Sequence, residues 1–176
     1  MVLFDDVHAF LAWFEGVHRR TLRDVAALPP EAETWLPHAA TGDDGAAWGI
    51  PQLVAHLAEA RGYFASAFLG HGWVWDAWPV GLPTLDTWLD ALEVSMERLR
   101  AQISGPDGDP VRRVPQIGDA SRSVSGWRVL MMLAEHEIAH RAQISAYAGL
   151  NGWPVEQLFG RDNEWVRAQR DAEAQS

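Results

Sequence analysis

The chain has 176 residues, carries a formal net charge of −10 and contains no cysteine. Its length suits one domain, and a composition with 48% hydrophobic and 22% charged residues is globular rather than disordered. The lack of cysteine excludes disulfides, thiolate metal sites and a cysteine nucleophile, so a transition metal would need histidine and carboxylate ligands.

Charge and lysine content narrow the function classes further. All 14 basic residues are arginine, which excludes Schiff-base lysine chemistry and a P-loop. The acidic balance disfavours binding to a phosphate backbone, so we expect no nucleic-acid partner. The sequence shows no leader and no uncharged apolar run of about 18 residues, which predicts a cytoplasmic protein with no membrane partner.

Apolar residues recur at intervals of three and four in four segments, which predicts four amphipathic helices. The second helix is expected to begin at Gly49-Ile50-Pro51, with glycine as the N-cap and proline in the first turn. The third is expected to begin at Thr84 and the fourth at Ser123 or Ser125. The predicted helices cover 4–28, 49–70, 84–103 and 123–147, and a shorter tail helix is expected over 161–172.

Four helices of this length most simply form an all-α four-helix bundle. We therefore expect a single domain over 1–176, with the bundle core at about 4–150. The loops over 70–83 and 105–122 are long for a plain bundle, so we expect them to fold over one end of it.

The sequence gives no convincing pair of strands. Residues 111–117 favour at most a short extended piece, because Pro110 and Pro115 each weaken a strand at that point. The expectation is therefore a fold without a sheet.

Four of the seven histidines need no function. His38 and His71 lie in predicted loops and are expected to be solvated. His8 and His18 lie on or beside the apolar stripe of the first helix, where a hydrogen-bonded core histidine is the commoner interpretation.

The other three histidines form a candidate metal site. His136 and His140 are four residues apart on one predicted helix, which is the spacing that lets two imidazoles reach one ion. His56 lies on the inward face of the second helix, and facing helices supply the ligands in a bundle. Three protein ligands leave a position open for water or substrate, as in catalytic sites. The alternative is a set of core histidines bonded to neighbouring side chains.

A competing motif overlaps this site. Residues 136–140 read H-E-x-x-H, the zinc-metalloprotease signature in which the glutamate, here Glu137, is the general base. Glu156 and Glu164 are the only plausible downstream third ligands, and no edge strand is evident for a peptide substrate. The peptidase interpretation is therefore the weaker one.

Two stretches resemble the DinB-like (DinB/YfiT) superfamily of metal-binding four-helix proteins. Residues 48–60 carry a tryptophan, a short cap and a helix with a histidine eight residues on. Residues 134–144, followed by Tyr147 and Leu150-Asn151-Gly152, are similar to the family's H-E-x-x-H-R-G-Q helix and its closing L-N-G. The chain departs from the pattern at Ala142 and Gly49, and neither of these is a candidate ligand.

The resemblance implies an up-down-down-up bundle, often a homodimer. It implies that His56, His136 and His140 bind zinc, nickel or a similar divalent ion. It also implies that some relatives are transferases or isomerases that use bacillithiol, mycothiol or glutathione.

The leading hypothesis is thus a metal-dependent transferase that joins a low-molecular-weight thiol to an electrophilic small molecule. The catalytic residues are left open, and the candidates for orienting the histidines or facing the substrate are Glu59, Glu137 and Gln143. Gln143 is favoured for the orienting role because it lies about one turn beyond His140. For Glu137 the alternative is a solvated helix residue. The other functions left open are hydrolysis by a metal-activated water, a peptidase, and a non-catalytic metal-binding module of a stress response.

Tryptophans crowd one loop of the chain. Trp73, Trp75 and Trp78 lie within 70–83, which we interpret as a lid or a dimer patch, with ordinary packing as the alternative.

Overall fold

A computed structural model describes residues 4–37, 48–75, 82–157 and 163–173. Within these ranges the chain forms five α-helices, one short 3-10 helix and one two-stranded antiparallel hairpin. The helices are α1 (Val7–Ala26), α2 (Ile50–Phe68), α3 (Leu85–Ile103), α4 (Gly126–Leu150) and α5 (Asn163–Glu173); the strands are β1 (Arg113–Gln116) and β2 (Asp119–Ser125).

The helices begin where capping chemistry predicts. Asp6 accepts a hydrogen bond from the backbone N–H of Ala9 at 2.8 Å, and Thr84 forms a capping box with Thr87. Gly49 caps α2 with a proline in the first turn. Of the two serines proposed for the fourth helix, Ser125 is the cap and also the last residue of β2, whereas Ser123 lies two residues earlier in that strand.

Apolar side chains form two clusters that give the direction of each helix. The first cluster contains the beginnings of α1 and α4 and the ends of α2 and α3. The second contains the end of α1, the later half of α4 and the beginnings of α2 and α3. Helices α1 and α4 therefore run one way and α2 and α3 the other, which confirms the all-α, up-down-down-up bundle.

The hairpin corrects the expectation of a fold without strands. β1 pairs with β2 through Val114 opposite Val124, and Pro115 lies opposite Ser123. Proline is tolerated because each strand of a two-stranded ribbon has one free edge. Val114 is buried in the first apolar cluster, and Gly118 makes the turn with a φ of 74° that favours glycine.

The predictions for the four histidines outside the candidate metal site had different outcomes. His18 is fully buried and hydrogen bonded, as predicted for a core histidine, but His8 is exposed on α1, so the prediction for His8 was wrong. One residue after the buried Val7, the His8 side chain falls outside the apolar stripe. His71 is exposed as expected, and His38 lies outside the described residues.

None of the helices in the described part of the chain is both long enough and apolar enough to span a membrane.

Candidate metal centre

Three histidines converge on one side of the α2–α4 pair. His56 lies in the second turn of α2, and His136 and His140 lie one turn apart in the antiparallel α4. The ring centroids are separated by 4.7 Å (His56–His136), 4.9 Å (His56–His140) and 4.5 Å (His136–His140). One ring nitrogen from each histidine lies within 4.8 Å of the other two. The structure thus brings together all three residues that the sequence singled out.

Neighbouring contacts orient the rings. Nε2 of His56 lies 2.8 Å from Nε2 of His136. Nδ1 of His140 lies 3.2 Å from Oε1 of Gln143, so the Nε2 atom of His140 is left to face the cluster. The Gln143 amide in turn donates to the Tyr147 hydroxyl at 3.0 Å. Gln143 therefore contacts a histidine of the cluster, as the sequence hypothesis expected of it.

The donor set fits a divalent metal ion. Burial, together with the charge that His140 would carry, lowers the pKa of His56 and of His136 to about 4. Both imidazoles are therefore neutral at pH 7, as a metal ligand must be. The Nδ1 atom of His136 is buried and has no hydrogen-bond partner in the described part of the chain. A set of three imidazole ligands suits zinc, nickel, copper or iron rather than calcium or magnesium.

Aromatic rings surround the cluster, and we call Trp48, Tyr63, Phe64 and Trp75 the aromatic rim. Trp48 packs edge-on against His56 at 4.6 Å between centroids, and Trp75 stacks on His56 at 5.2 Å with an interplanar angle of 25°. Phe64 packs edge-on against His136 at 5.6 Å. All three histidines are half-buried, and Trp75 is 45% exposed. The cluster is therefore an accessible site with apolar walls.

The segment after α2 is held in place by the hairpin. The Trp73 indole N–H donates to the Pro115 carbonyl at 2.7 Å, and Trp73 packs against Tyr63 at 5.3 Å. Gly70 and Gly72 turn the chain with φ values of 82° and 92°. Within the predicted tryptophan loop, Trp73 thus packs on the bundle and Trp75 faces the histidines, while Trp78 lies outside the described residues.

Glu137 does not belong to the cluster. It is 1% exposed, accepts hydrogen bonds from Arg61 through both carboxylate oxygens and accepts one from Thr21 at 2.9 Å. Burial raises its pKa, but the Arg61 guanidinium and the Thr21 hydrogen bond together hold the pKa below its usual value. The interpretation as a solvated residue was wrong. Its position about 100° around the helix from His136 points Glu137 into the bundle instead.

Arg61 organises this buried network and was missed by the sequence analysis. It also contacts Nδ1 of His18 at 3.1 Å, the Ser95 hydroxyl at 2.8 Å and the Leu92 carbonyl at 2.5 Å. Arginine only donates, so Nδ1 of His18 is the acceptor and its Nε2–H donates to Glu93 at 3.2 Å. The signal was available, because Arg61 interrupts the apolar stripe of α2 between Leu57 and Phe64.

The remaining candidate carboxylates lie at different places. Glu59 is half-buried, three residues after His56 on α2. Glu156 pairs with Arg23 at 3.5 Å, and Glu164 is exposed on α5. Within the described ranges, the group of side chains able to hold an ion contains the three histidines and no carboxylate.

Comparisons with known proteins agree with this architecture. The model of the DinB family matches residues 3–172. A crystal structure of a DinB-like protein from Bacillus cereus ATCC 10987 superimposes with a TM-score of 0.67 at 17% sequence identity, covering 89% of this chain and 99% of that one. At this identity the likeness concerns the fold. Curated protein sequences give no significant match.

Proposed function

This chain belongs to the DinB family, and we propose that His56, His136 and His140 bind one divalent metal ion, with zinc and nickel as the best candidates. The observation that supports this proposal is the convergence of one nitrogen from each ring to within 4.8 Å. The low pKa of two of the imidazoles adds to it, since protons do not compete for those nitrogens at neutral pH.

We further propose that the protein transfers a low-molecular-weight thiol of the bacillithiol, mycothiol or glutathione type to an electrophilic small molecule. A bound divalent ion would supply Lewis-acid activation, lowering the pKa of a thiol so that the thiolate is present at neutral pH. Because the chain has no cysteine, the thiol must be a cosubstrate. In the reaction the sulfur bonds to the electrophilic carbon, the leaving group departs with the bonding electrons, and the thiol proton passes to solvent.

The chain's own residues have separate tasks in this proposal. The three histidines would bind the metal ion, and Gln143 orients the His140 ring by its contact with the Nδ1 atom of His140. The apolar walls of the rim keep the second substrate beside the thiol and supply proximity.

The contacts of Glu137 weigh against the peptidase alternative. A general base must reach the attacking water, whereas Glu137 is buried and bonded to Arg61 and Thr21. A low pKa also makes it a weak base. We therefore do not assign a catalytic role to this residue.

A thiol panel tests the proposed reaction. Protein loaded with zinc or nickel is incubated with each thiol and a reporter electrophile, and thioether formation is followed. We expect a rate that requires metal and thiol, that is lost in His136→Ala, and that persists in His71→Ala, which removes an exposed histidine.

Two outcomes would overturn the transferase proposal. Hydrolysis of ester or amide substrates without thiol would indicate a metal-activated water instead. Full metal occupancy with no turnover of any substrate would indicate a non-catalytic binding module.

A further inference from the structure

We propose that the aromatic rim selects ligands that carry a planar aromatic ring, which stacks on Trp48 and Trp75 while a donor atom binds at the histidine cluster. This inference rests on the metal site of the proposed function. It adds to that function the chemical class of the electrophilic second substrate, which is aromatic, and the ring-bearing thiols used below serve as probes of the rim.

The distances place both indoles within reach of such a molecule. Trp48 and Trp75 lie 4.6 Å and 5.2 Å from the His56 ring, and Trp48 lies 6.3 Å from the His140 ring in a stacked orientation. Aromatic pairs attract at centroid separations of about 4.5–7 Å. A ring attached one or two atoms from a donor in the cluster therefore falls within stacking distance of the rim.

The exposure of the rim leaves stacking surface available. Trp75 remains 45% exposed and the preceding Val74 is 51% exposed, although an indole and a valine side chain are both favourable to bury. A large indole left open beside a cluster of ligating nitrogens fits a binding surface better than ordinary packing.

The rim is also fixed before a ligand arrives. The hydrogen bond from Trp73 to the Pro115 carbonyl anchors the segment that carries Trp75, and Tyr63 packs against Trp73 and Trp75 at 5.3 Å each. A wall that is already ordered costs little conformational entropy on binding.

Charge favours a neutral ring over a cationic one. Indole faces attract cations as well as aromatic rings. A divalent ion in the cluster would repel a cationic ring placed a few ångströms away. The rim therefore fits an uncharged aromatic group.

Two thiols that differ only in their ring provide the test. Phenylmethanethiol and cyclohexylmethanethiol are titrated into the cobalt(II)-loaded protein, and binding is read from the thiolate-to-cobalt charge-transfer absorption. The readout is the ratio of the two dissociation constants in wild type, in Trp75→Leu and in the control Trp13→Leu. Trp13 on α1 is 38% exposed and packs against Phe4 and Phe10, away from the cluster.

Simple apolar burial favours the cyclohexyl ring, which is the larger one. We expect the wild type to prefer the phenyl ring instead, and the preference to fall about fivefold in Trp75→Leu, as expected for loss of one aromatic stacking contact. Trp13→Leu should leave the ratio unchanged. The different acidity of the two thiols affects all three proteins equally, so it does not alter this comparison.

Equal ratios of the dissociation constants in wild type and Trp75→Leu would overturn the inference. A preference of the wild type for the cyclohexyl ring would also overturn it. If neither thiol binds to the cobalt protein, the proposed thiol chemistry fails, and the same rings are then presented on hydroxamates, which chelate metals without sulfur. A phenyl preference that depends on Trp75 would still support the rim inference in that case. A protein that binds no cobalt would overturn both proposals.

Discussion

Gln143 lies between a histidine of the cluster and an aromatic hydroxyl. Its carbonyl oxygen contacts Nδ1 of His140 at 3.2 Å, and its amide donates to Tyr147. Loss of such an orienting contact typically weakens metal binding by about 10- to 100-fold. We expect Gln143→Leu to show a loss of this size, and Gln143→Glu, which retains an acceptor, to bind metal at least as tightly as wild type.

Competition against a chromophoric chelator measures both affinities. Equal affinity of Gln143→Leu and wild type would show that the contact with His140 does not orient a ligand.

Glu137 and Glu135 are two residues apart on α4 and give a matched pair. Glu137 is buried against Arg61, whereas Glu135 pairs at 2.7 Å with Arg128 on the surface, both side chains being about half exposed. Removing one partner of a buried pair costs about 3–5 kcal/mol, and removing an exposed one costs about 0–1 kcal/mol. In urea unfolding we expect the free energy of unfolding to fall by about 3–5 kcal/mol in Glu137→Leu and by about 0–1 kcal/mol in Glu135→Leu. Similar losses for both would contradict a structural role for Glu137.

At the scale of the elements, the Arg61 network joins all four long helices. Its members are His18 and Thr21 on α1, Arg61 on α2, Leu92 and Ser95 on α3, and Glu137 on α4. Buried ion pairs often specify an arrangement of elements without adding much net stability. We therefore expect the double variant Arg61→Met/Glu137→Leu to be more stable than either single variant.

A double-mutant cycle in urea measures this coupling. If the losses in free energy of unfolding of the two single variants simply add in the double variant, the two side chains do not act as a pair.

Sequence patterns predicted the helices because capping and apolar periodicity are local properties. Asp6, Gly49, Thr84 and Ser125 each fix a helix start within three residues of the predicted one. The hairpin was not predictable in this way, since its strands depend on burial of Val114 and on a contact between Arg112 and the Leu69 carbonyl.

The same division holds for the candidate site. The spacing of four residues placed His136 and His140 on one face, and the apolar stripe placed His56 opposite them. The environment of Glu137 was not predictable, because its partner Arg61 is 76 residues away in the sequence. Metal binding itself stays a prediction.

At the scale of the whole molecule, stability should depend on pH when no metal is present. Burial lowers the pKa of His56 and His136 from 6.5 to about 4, and it also lowers that of His18. Between pH 6.5 and 4 the unfolded chain therefore binds more protons than the folded one, so folding stability decreases as the pH falls through this range.

Urea unfolding of the metal-free protein at pH 7 and pH 5 tests this expectation. We expect a lower free energy of unfolding at pH 5, and a smaller difference between the two pH values in His56→Gln/His136→Gln. An identical pH dependence in wild type and double variant would show that these imidazoles are not neutralised by burial.

Oligomeric state also belongs to this scale, and we propose a homodimer on the basis of the family. Sedimentation equilibrium should give twice the mass of the 19.6 kDa chain. A mass of one chain at all concentrations would contradict this proposal.

The most direct test of the account is the metal content of untagged protein, measured by mass spectrometry after incubation with zinc and removal of the excess. We expect one ion per chain in wild type and in His8→Ala, which removes an exposed histidine on α1. We expect His56→Ala, His136→Ala and His140→Ala each to lose most of the bound metal. One ion per chain in all three of these variants would show that the histidine cluster is not the metal site.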